Sequence, residues 1–166
     1  MSLVLRALEP EDLDVLYRVE NDTALWYCGT TTAPYSRYVL RQYIQSVSGD
    51  AFRDGQVRYA IQVDDATAGF VDLIDLNAVN SRAEVAIVIL DEYRRSGYAT
   101  EALRLIQQYA QQLHLHQLYA YVGLDNVASQ KLFLRAGFSQ SATLPDWVAT
   151  PEGWQDILLF TLRVRP

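Results

Sequence analysis

Glu92-Tyr93-Arg94-Arg95-Ser96-Gly97-Tyr98-Ala99-Thr100-Glu101-Ala102 is the stretch on which the reading of this chain turns. An apolar run, Val85-Ala86-Ile87-Val88-Ile89-Leu90, precedes it, and Leu103-Arg104-Leu105-Ile106-Gln107-Gln108-Tyr109-Ala110 follows with helical spacing. The order is therefore strand, tight loop, helix. A helix N-terminus offers N–H groups without intrahelical acceptors and a partial positive charge, which suits a phosphate. Gly97 has no Cβ and lets main chain approach a ligand closely. The stretch predicts a pyrophosphate cradle formed by Arg94, Arg95, Ser96, Gly97, Tyr98, Ala99 and Thr100. The competing reading is a plain strand-Gly-helix junction, since most such junctions bind nothing. No Gly-Lys-Ser/Thr follows, so this is not a Walker loop, and the GxGxxG dinucleotide fingerprint is absent.

Upstream, Leu3-Val4-Leu5-Arg6-Ala7-Leu8 reads as a first strand. Glu9-Pro10-Glu11-Asp12 opens a helix that carries Leu13, Leu16 and Tyr17 inward and ends near Asn21-Asp22. Residues 23–35 read as irregular and aromatic, with Trp26, Tyr27, Cys28 and Gly29; they form either one wall of an acceptor pocket or a plug over the core. Ser36 is placed to cap a helix over 37–47, with Tyr38 or Val39, Tyr43, Ile44 and Val47 facing inward. Ser48-Gly49-Asp50 stops it. Val57-Arg58-Tyr59-Ala60-Ile61-Gln62-Val63 and Phe70-Val71-Asp72-Leu73-Ile74-Asp75-Leu76 alternate as a hairpin around a turn at 64–69. Residues 82–89 form the central strand, 97–113 the long helix and 117–123 the next strand. A short helix over 126–136 ends at Gly137, a suitable left-handed cap. Residues 138–143 and 154–164 close the sheet, and 145–153 connect them. This order predicts an α+β fold, a mixed and mostly antiparallel sheet with helices on both faces.

Length and charge narrow the function classes. The 166 residues read as a single domain, 1–166, with room for a substantial core. A formal net charge of −6 argues against nucleic-acid binding and is compatible with a cationic acceptor. No apolar run is long enough to cross a membrane. Met1-Ser2-Leu3-Val4-Leu5-Arg6 lacks a basic stretch ahead of an apolar one, and the lone Cys28 has no internal disulfide partner. Both fit a cytoplasmic protein. His114 and His116, at the exit of the long helix, read as capping or solvated residues, and no His/Cys/Asp spacing suggests a metal.

Two motifs carry a resemblance. Arg94-x-x-Gly97-x-Ala99 is similar to the Gln/Arg-x-x-Gly-x-Gly/Ala signature of the GNAT acetyltransferase superfamily, and the stretch from Asp125 and Asn126 to Gly137-Phe138 resembles that superfamily's Asn-x-x-Ala/Ser helix ending in Gly-Phe. The resemblance implies acetyl-CoA as co-substrate, with its pyrophosphate on the 94–100 loop. It also implies a splayed central strand pair, here 84–90 and 118–123, that takes the pantetheine arm against Ala86, Ile87 and Val88. Asn126, Ser129 and Phe133 are the matching cofactor contacts on the short helix. Among GNAT branches, Arg82-Ala83-Glu84, 92–100 and 115–122 are most similar to spermidine/diamine N-acetyltransferases, and more broadly to the ribosomal-protein N-acetyltransferases. The polyamine enzymes place an acidic pair before a Pro-Tyr, and the matching residues here are Thr32 and Ala33, before Pro34-Tyr35.

The implied reaction sets chemical requirements. An alkyl amine with a pKa of about 10.4 is mostly protonated at neutral pH and must lose a proton before it attacks. Glu84 is the leading base, with Asp72 and Asp75 as fallbacks; its other reading is an exposed carboxylate paired with Arg82 or Arg95. A backbone N–H around 86–88 is placed to hold the oxyanion. Many family members carry a proton-donating Tyr where this chain has Phe133. Tyr121, Tyr98 or an ordered water is the substitute, and Asn126 also reads as a simple N-cap. The acceptor is a small amine, a diamine or polyamine, or a peptide N-terminus, and likeness to the family makes a homo-oligomer plausible. The alternative function is an acyl-CoA-binding sensor or scaffold with weakened catalysis.

Overall fold

A computed structural model describes residues 2–28 and 31–165. The chain runs β1 (Leu3–Arg6), α1 (Leu13–Glu20), α2 (Arg37–Ser46), α3 (Ala51–Asp54), β2 (Val57–Val63), β3 (Ala66–Asn77) and β4 (Arg82–Ile89). It continues with α4 (Tyr98–Gln112), β5 (Gln117–Gly123), α5 (Val127–Arg135), β6 (Ser139–Thr150) and β7 (Gly153–Arg163). Among the described residues, seven strands form one sheet in the order β1-β2-β3-β4-β5-β7-β6. Every neighbouring pair is antiparallel except β4 and β5, which α4 connects in parallel. This is the mixed, mostly antiparallel α+β sheet that the element order predicts.

The two faces of the sheet follow from alternation along the strands. Ala83, Val85 and Ile89 of β4 join Val71 and Leu73 of β3 in a core sealed by Leu103, Ile106 and Ala110 of α4 and Phe133 of α5. On the opposite face, Ala60 and Phe70 pack against Leu16 and Val19 of α1 and Leu40 of α2, and Val88 borders this second core. Glu84 and Ala86 share the Val88 parity, so they face the α1–α2 side.

Several local expectations are corrected. The first helix opens with a 3-10 turn over Pro10–Asp12 before α1 begins. Ser36 caps α2 as expected, its hydroxyl accepting from the Val39 N–H at 3.1 Å. The inward residue of α2 is Leu40, with Tyr43 and Ile44 beside it, while Tyr38, Val39 and Val47 are exposed. The buried stripe is narrow, so residues one position off it reach solvent. The short helix α3 follows Ser48-Gly49-Asp50 and is capped by the Asp50 carboxylate.

The 64–69 turn is shorter than expected. It occupies Asp64-Asp65, with Asp64 at φ 52°, and β3 starts at Ala66. Gly69 is a close-approach glycine inside β3: a Cβ there would lie 2.1 Å from the Val88 carbonyl oxygen of β4. The 145–153 connection is also corrected. β6 continues to Thr150 and meets β7 in a tight hairpin, with a register shift between Leu144 and Val148. Pro145 sits in that shift on an edge strand, where no ladder N–H is required. Residues 23–28 form a 3-10 turn. Gly29 and the side chains of Tyr27 and Cys28, named in the aromatic stretch, lie outside the described residues.

Candidate active site

The central strands part early. β4 and β5 pair only at Arg82↔Gln117, Ala83↔Leu118 and Glu84↔Tyr119. Beyond that point β4 stays paired to β3 through Gly69↔Ile89, and β5 stays paired to β7 through Gly123↔Ile157. The expected splayed pair is present. Alternate residues of Val85–Ile89 therefore turn backbone N–H and C=O groups into the gap. Ala86, Ile87 and Val88, the expected pantetheine contacts, all lie on this unpaired stretch. At its wide end the chain enters the 3-10 turn Asp91–Tyr93 and then α4.

The loop geometry suits an anion. Arg95 and Gly97 both take left-handed backbone conformations, at φ 63° and 82°. Gly97 is the N-cap of α4, and nothing lies within 4 Å of where its Cβ would be. The first turn of α4 begins at Tyr98, directly after this glycine, and a helix start of this kind concentrates partial positive charge. The Arg94 guanidinium is committed to the loop itself: its Nε donates to the Ile89 carbonyl at 3.0 Å and Nη1 pairs with Asp91 at 2.7 Å. Arg95 is exposed and adds a second positive charge to the loop. Arg18 of α1 reaches across to Glu92 with two hydrogen bonds, 3.0 and 2.7 Å, and so ties α1 to the same loop.

Glu84 stands at the fork. It is half-buried, and among the described residues no ion pair engages it; the expected alternatives Arg82 and Arg95 are not its partners. Burial, reinforced by Asp75 and Asp72, raises its pKa to about 7. Asp75 sits in the irregular stretch of β3 between Ile74 and Asn77, at φ 50°, and accepts a hydrogen bond from Tyr119 at 2.8 Å. Tyr121 lies two residues further along β5, on the same face and beyond the last β4 contact. Its ring meets Tyr119 edge-on at 5.7 Å and Trp147 of β6 at 6.4 Å, and it remains 41% exposed. Burial and the charges of Glu84 and Asp75 raise the Tyr121 hydroxyl pKa, which keeps its proton in place at neutral pH.

Asp72 is not free to act as a base. It is buried and receives two hydrogen bonds from Arg58 of β2, at 2.8 and 2.7 Å. Arg58 also pairs with Glu20 at the end of α1. Tyr119 and Arg58 were not singled out from sequence, although a lone arginine inside the apolar alternation of β2 was a usable signal for a buried partner.

On α5, Asn126 is the N-cap, its Oδ1 accepting from the Ser129 N–H at 3.1 Å, which leaves its side-chain N–H2 available. Gln130 donates to the carbonyls of Gly123 and Leu124 and so pins the end of β5 to α5. Phe133 is 4% exposed and packs between Phe138 and Phe160, with ring centroids 5.1 and 6.1 Å away. Its contacts within the protein are those of a core residue.

A parted sheet beside an anion-ready helix start places the chain among the acetyltransferases. The sequence matches the acetyltransferase (GNAT) domain family over residues 2–139. The chain belongs to that family. It is 31% identical over 149 residues to the spermidine N(1)-acetyltransferase of Escherichia coli (strain K12), covering 86% of this chain and 76% of that protein. It is 26% identical over 163 residues to the spermidine N(1)-acetyltransferase of Vibrio cholerae serotype O1, covering 94% and 90%. The crystal structure of the Vibrio cholerae spermidine N-acetyltransferase in complex with CoA and spermine has the same fold, with a TM-score of 0.87 over 98% of this chain and 95% of that one at 24% identity. A dodecameric structure of the Vibrio cholerae enzyme superposes with a TM-score of 0.81 at 25% identity, over 97% and 93% of the two chains.

Proposed function

We propose that this protein transfers the acetyl group of acetyl-CoA directly to a primary amine of a diamine or polyamine. The observation that carries the reading is Glu84: a carboxyl poised near neutrality, at the mouth of the β4–β5 gap, with no cation among the described residues paired to it. Asp75 lies beside it, and Asp72 and Glu20 hold Arg58 at the inner end of the same face, so the acceptor side carries more carboxylates than cations. Such a face attracts a polycation, and the spermidine acetyltransferase relatives act on one.

The step balances as follows. The amine is bound as an ammonium, and Glu84 takes its proton. The free nitrogen attacks the thioester carbonyl carbon, and the oxyanion is held by a β4 amide within 86–88. The C–S bond breaks, Tyr121 donates its proton to the departing sulfur, and the second proton leaving the nitrogen returns to the Tyr121 oxygen, while Glu84 releases the first to solvent; Phe133 lacks the hydroxyl for this role. Products are the N-acetylamine and the free thiol of CoA. The amides and arginines of 94–100 hold the diphosphate, and Asn126 and Ser129 steady the arm from α5.

The test is thiol release from acetyl-CoA with diamines, polyamines, amino sugars and peptide N-termini as acceptors. The reading expects the polyamines and diamines to give the highest kcat/KM. Tight CoA binding with no turnover on any amine overturns it in favour of a sensor or scaffold. The reading also places the protein in the cytoplasm, where acetyl-CoA is available, and as a homo-oligomer like its dodecameric relative. Light scattering at micromolar concentration tests the second point.

A further inference from the structure

The segment between α1 and α2 is closed at its stem by a small set of bonds. Asn21 donates to the carbonyls of Tyr17 and Tyr35, both at 3.0 Å, and its Oδ1 accepts from the Tyr35 N–H at 2.8 Å. The Trp26 indole N–H donates to the Glu20 carbonyl at 3.0 Å. The segment thus leaves and returns at one point, directly at the end of α1. That point is anchored to the sheet through a side chain: the Glu20 carboxylate pairs with Arg58, whose other two donors form a fork on Asp72. Asp72 is the register partner of Arg58 on one side and of Ala86 on the other, two residues along β4 from Glu84.

We infer that Arg58 is a positioning residue for the acceptor, tying the stem of the 21–35 segment, through Glu20, to the strand that carries Glu84. A guanidinium suits this task because three of its N–H groups are aimed in fixed directions at two carboxylates from different elements. An ammonium keeps the charge but cannot present the fork. The arrangement sets the spacing between the 21–35 segment and the strand that carries Glu84. Its hydrogen bonds go to Glu20 and Asp72, on elements other than the 94–100 loop.

The kinetic side of this inference rests on the amine acetyltransferase reading, whereas the mechanical side does not, so two readouts are taken on the full chain. The variants are Arg58→Lys and Glu20→Ala; the second leaves the Arg58–Asp72 pair intact and cuts only the tie to α1. Hydrogen exchange followed by mass spectrometry reads peptides around Trp26 and Tyr35. Both variants are expected to exchange there about ten-fold faster, with β3 and β4 peptides unchanged. In steady-state kinetics both are expected to raise the KM for the amine about ten-fold and to leave the KM for acetyl-CoA within about two-fold. Unchanged exchange at Tyr35 in both variants overturns the tie, whatever the kinetics. Faster exchange with equal changes in both KM values overturns the acceptor role. If the wild type acetylates no amine, the functional reading fails by itself, and exchange alone decides whether Arg58 holds the segment.

Discussion

Glu84 and Tyr119 are the last residues at which β4 and β5 touch as partners. The two central strands part just past that pair. On one strand the backbone edge of 85–89 is left without a β5 partner; on the other, Tyr121 lies beyond the last β4 contact, with its ring against Tyr119 and Trp147. Asp75, hydrogen-bonded to Tyr119, adds its charge to the same corner and helps keep the Glu84 proton affinity high.

Glu84→Gln should lower kcat/KM for the amine by about a hundred-fold to ten-thousand-fold, the range for losing a general base, with acetyl-CoA affinity unchanged. In the wild type, kcat/KM should rise with pH through about 7 as Glu84 ionises. Asp75→Asn should move that limb to lower pH. The stability sign is opposite to that of a paired acid. A raised carboxyl pKa means that the folded state holds more protons than the unfolded state between about 4.5 and 7. The stabilisation from its protonated form is therefore lost as pH rises through that window, and Glu84→Gln should melt higher than wild type at pH 8. Calorimetry at pH 5 and pH 8 checks this; equal shifts at both would contradict the assignment.

Gly97→Val should abolish detectable CoA binding while leaving the fold intact. The space above Gly97 is empty, so the protein itself does not clash; the cost lies in its left-handed backbone and in filling the cradle. A β-branched residue is strongly disfavoured there, by roughly 1–2 kcal/mol. Gly97→Ala should keep part of the affinity. Titration calorimetry with CoA is the measurement, and wild-type affinity in the valine variant would remove the cradle.

The parts of this architecture that sequence made legible are those encoded locally. The apolar run at 85–90, the Gly97 junction and the helix that follows all show their period within a short window. Asn126 and Ser36 announce caps within three residues. What stayed hidden depends on register between distant segments. Arg58 meets Asp72 only because β2 and β3 pair in that register, and meets Glu20 only because α1 ends over them. Tyr119 finds Asp75 across β4, between residues 44 apart in sequence. Pro145 suggested a loop because a proline is usually excluded from a ladder, yet an edge strand with a register shift accepts it.

Asp12 is expected to be a stability determinant unrelated to the reaction. Its buried carboxylate receives Arg6 at 2.7 and 2.9 Å, Thr67 at 2.7 Å and the Glu9 N–H at 2.8 Å. Burial alone would raise its pKa, and the bonds from Arg6, Glu9 and Thr67 outweigh burial and lower it. Because the folded-state pKa is depressed, this stabilisation is present above the ordinary carboxylate range and is lost as pH falls through the folded value. Asp12→Ala should cost about 2–4 kcal/mol at pH 7, less than a fully buried pair because Arg6 keeps some solvent. Urea titrations at pH 7 and pH 3 should show the gap to wild type narrowing at the lower pH.

The proton for the leaving sulfur separates Tyr121 from Phe133. Were β4 and β5 to continue in register past Glu84↔Tyr119, Tyr121 would stand opposite Ala86, where the thioester is proposed to lie. Its raised pKa keeps the hydroxyl protonated, the form a donor needs. Tyr121→Phe should therefore reduce kcat by about a hundred-fold, at the low end for general acid loss, with little change in CoA affinity. Phe133→Tyr in the wild-type background should give no gain, since a donor is already present. In the Tyr121→Phe background it should recover part of the rate if the new hydroxyl reaches the gap from between Phe138 and Phe160. Single-turnover rates on all four proteins decide the matter: a silent Tyr121→Phe together with a faster Phe133→Tyr would mean that β5 carries no acid and that the wild type expels its thiolate unaided, which a thiol pKa of about 8.5 permits.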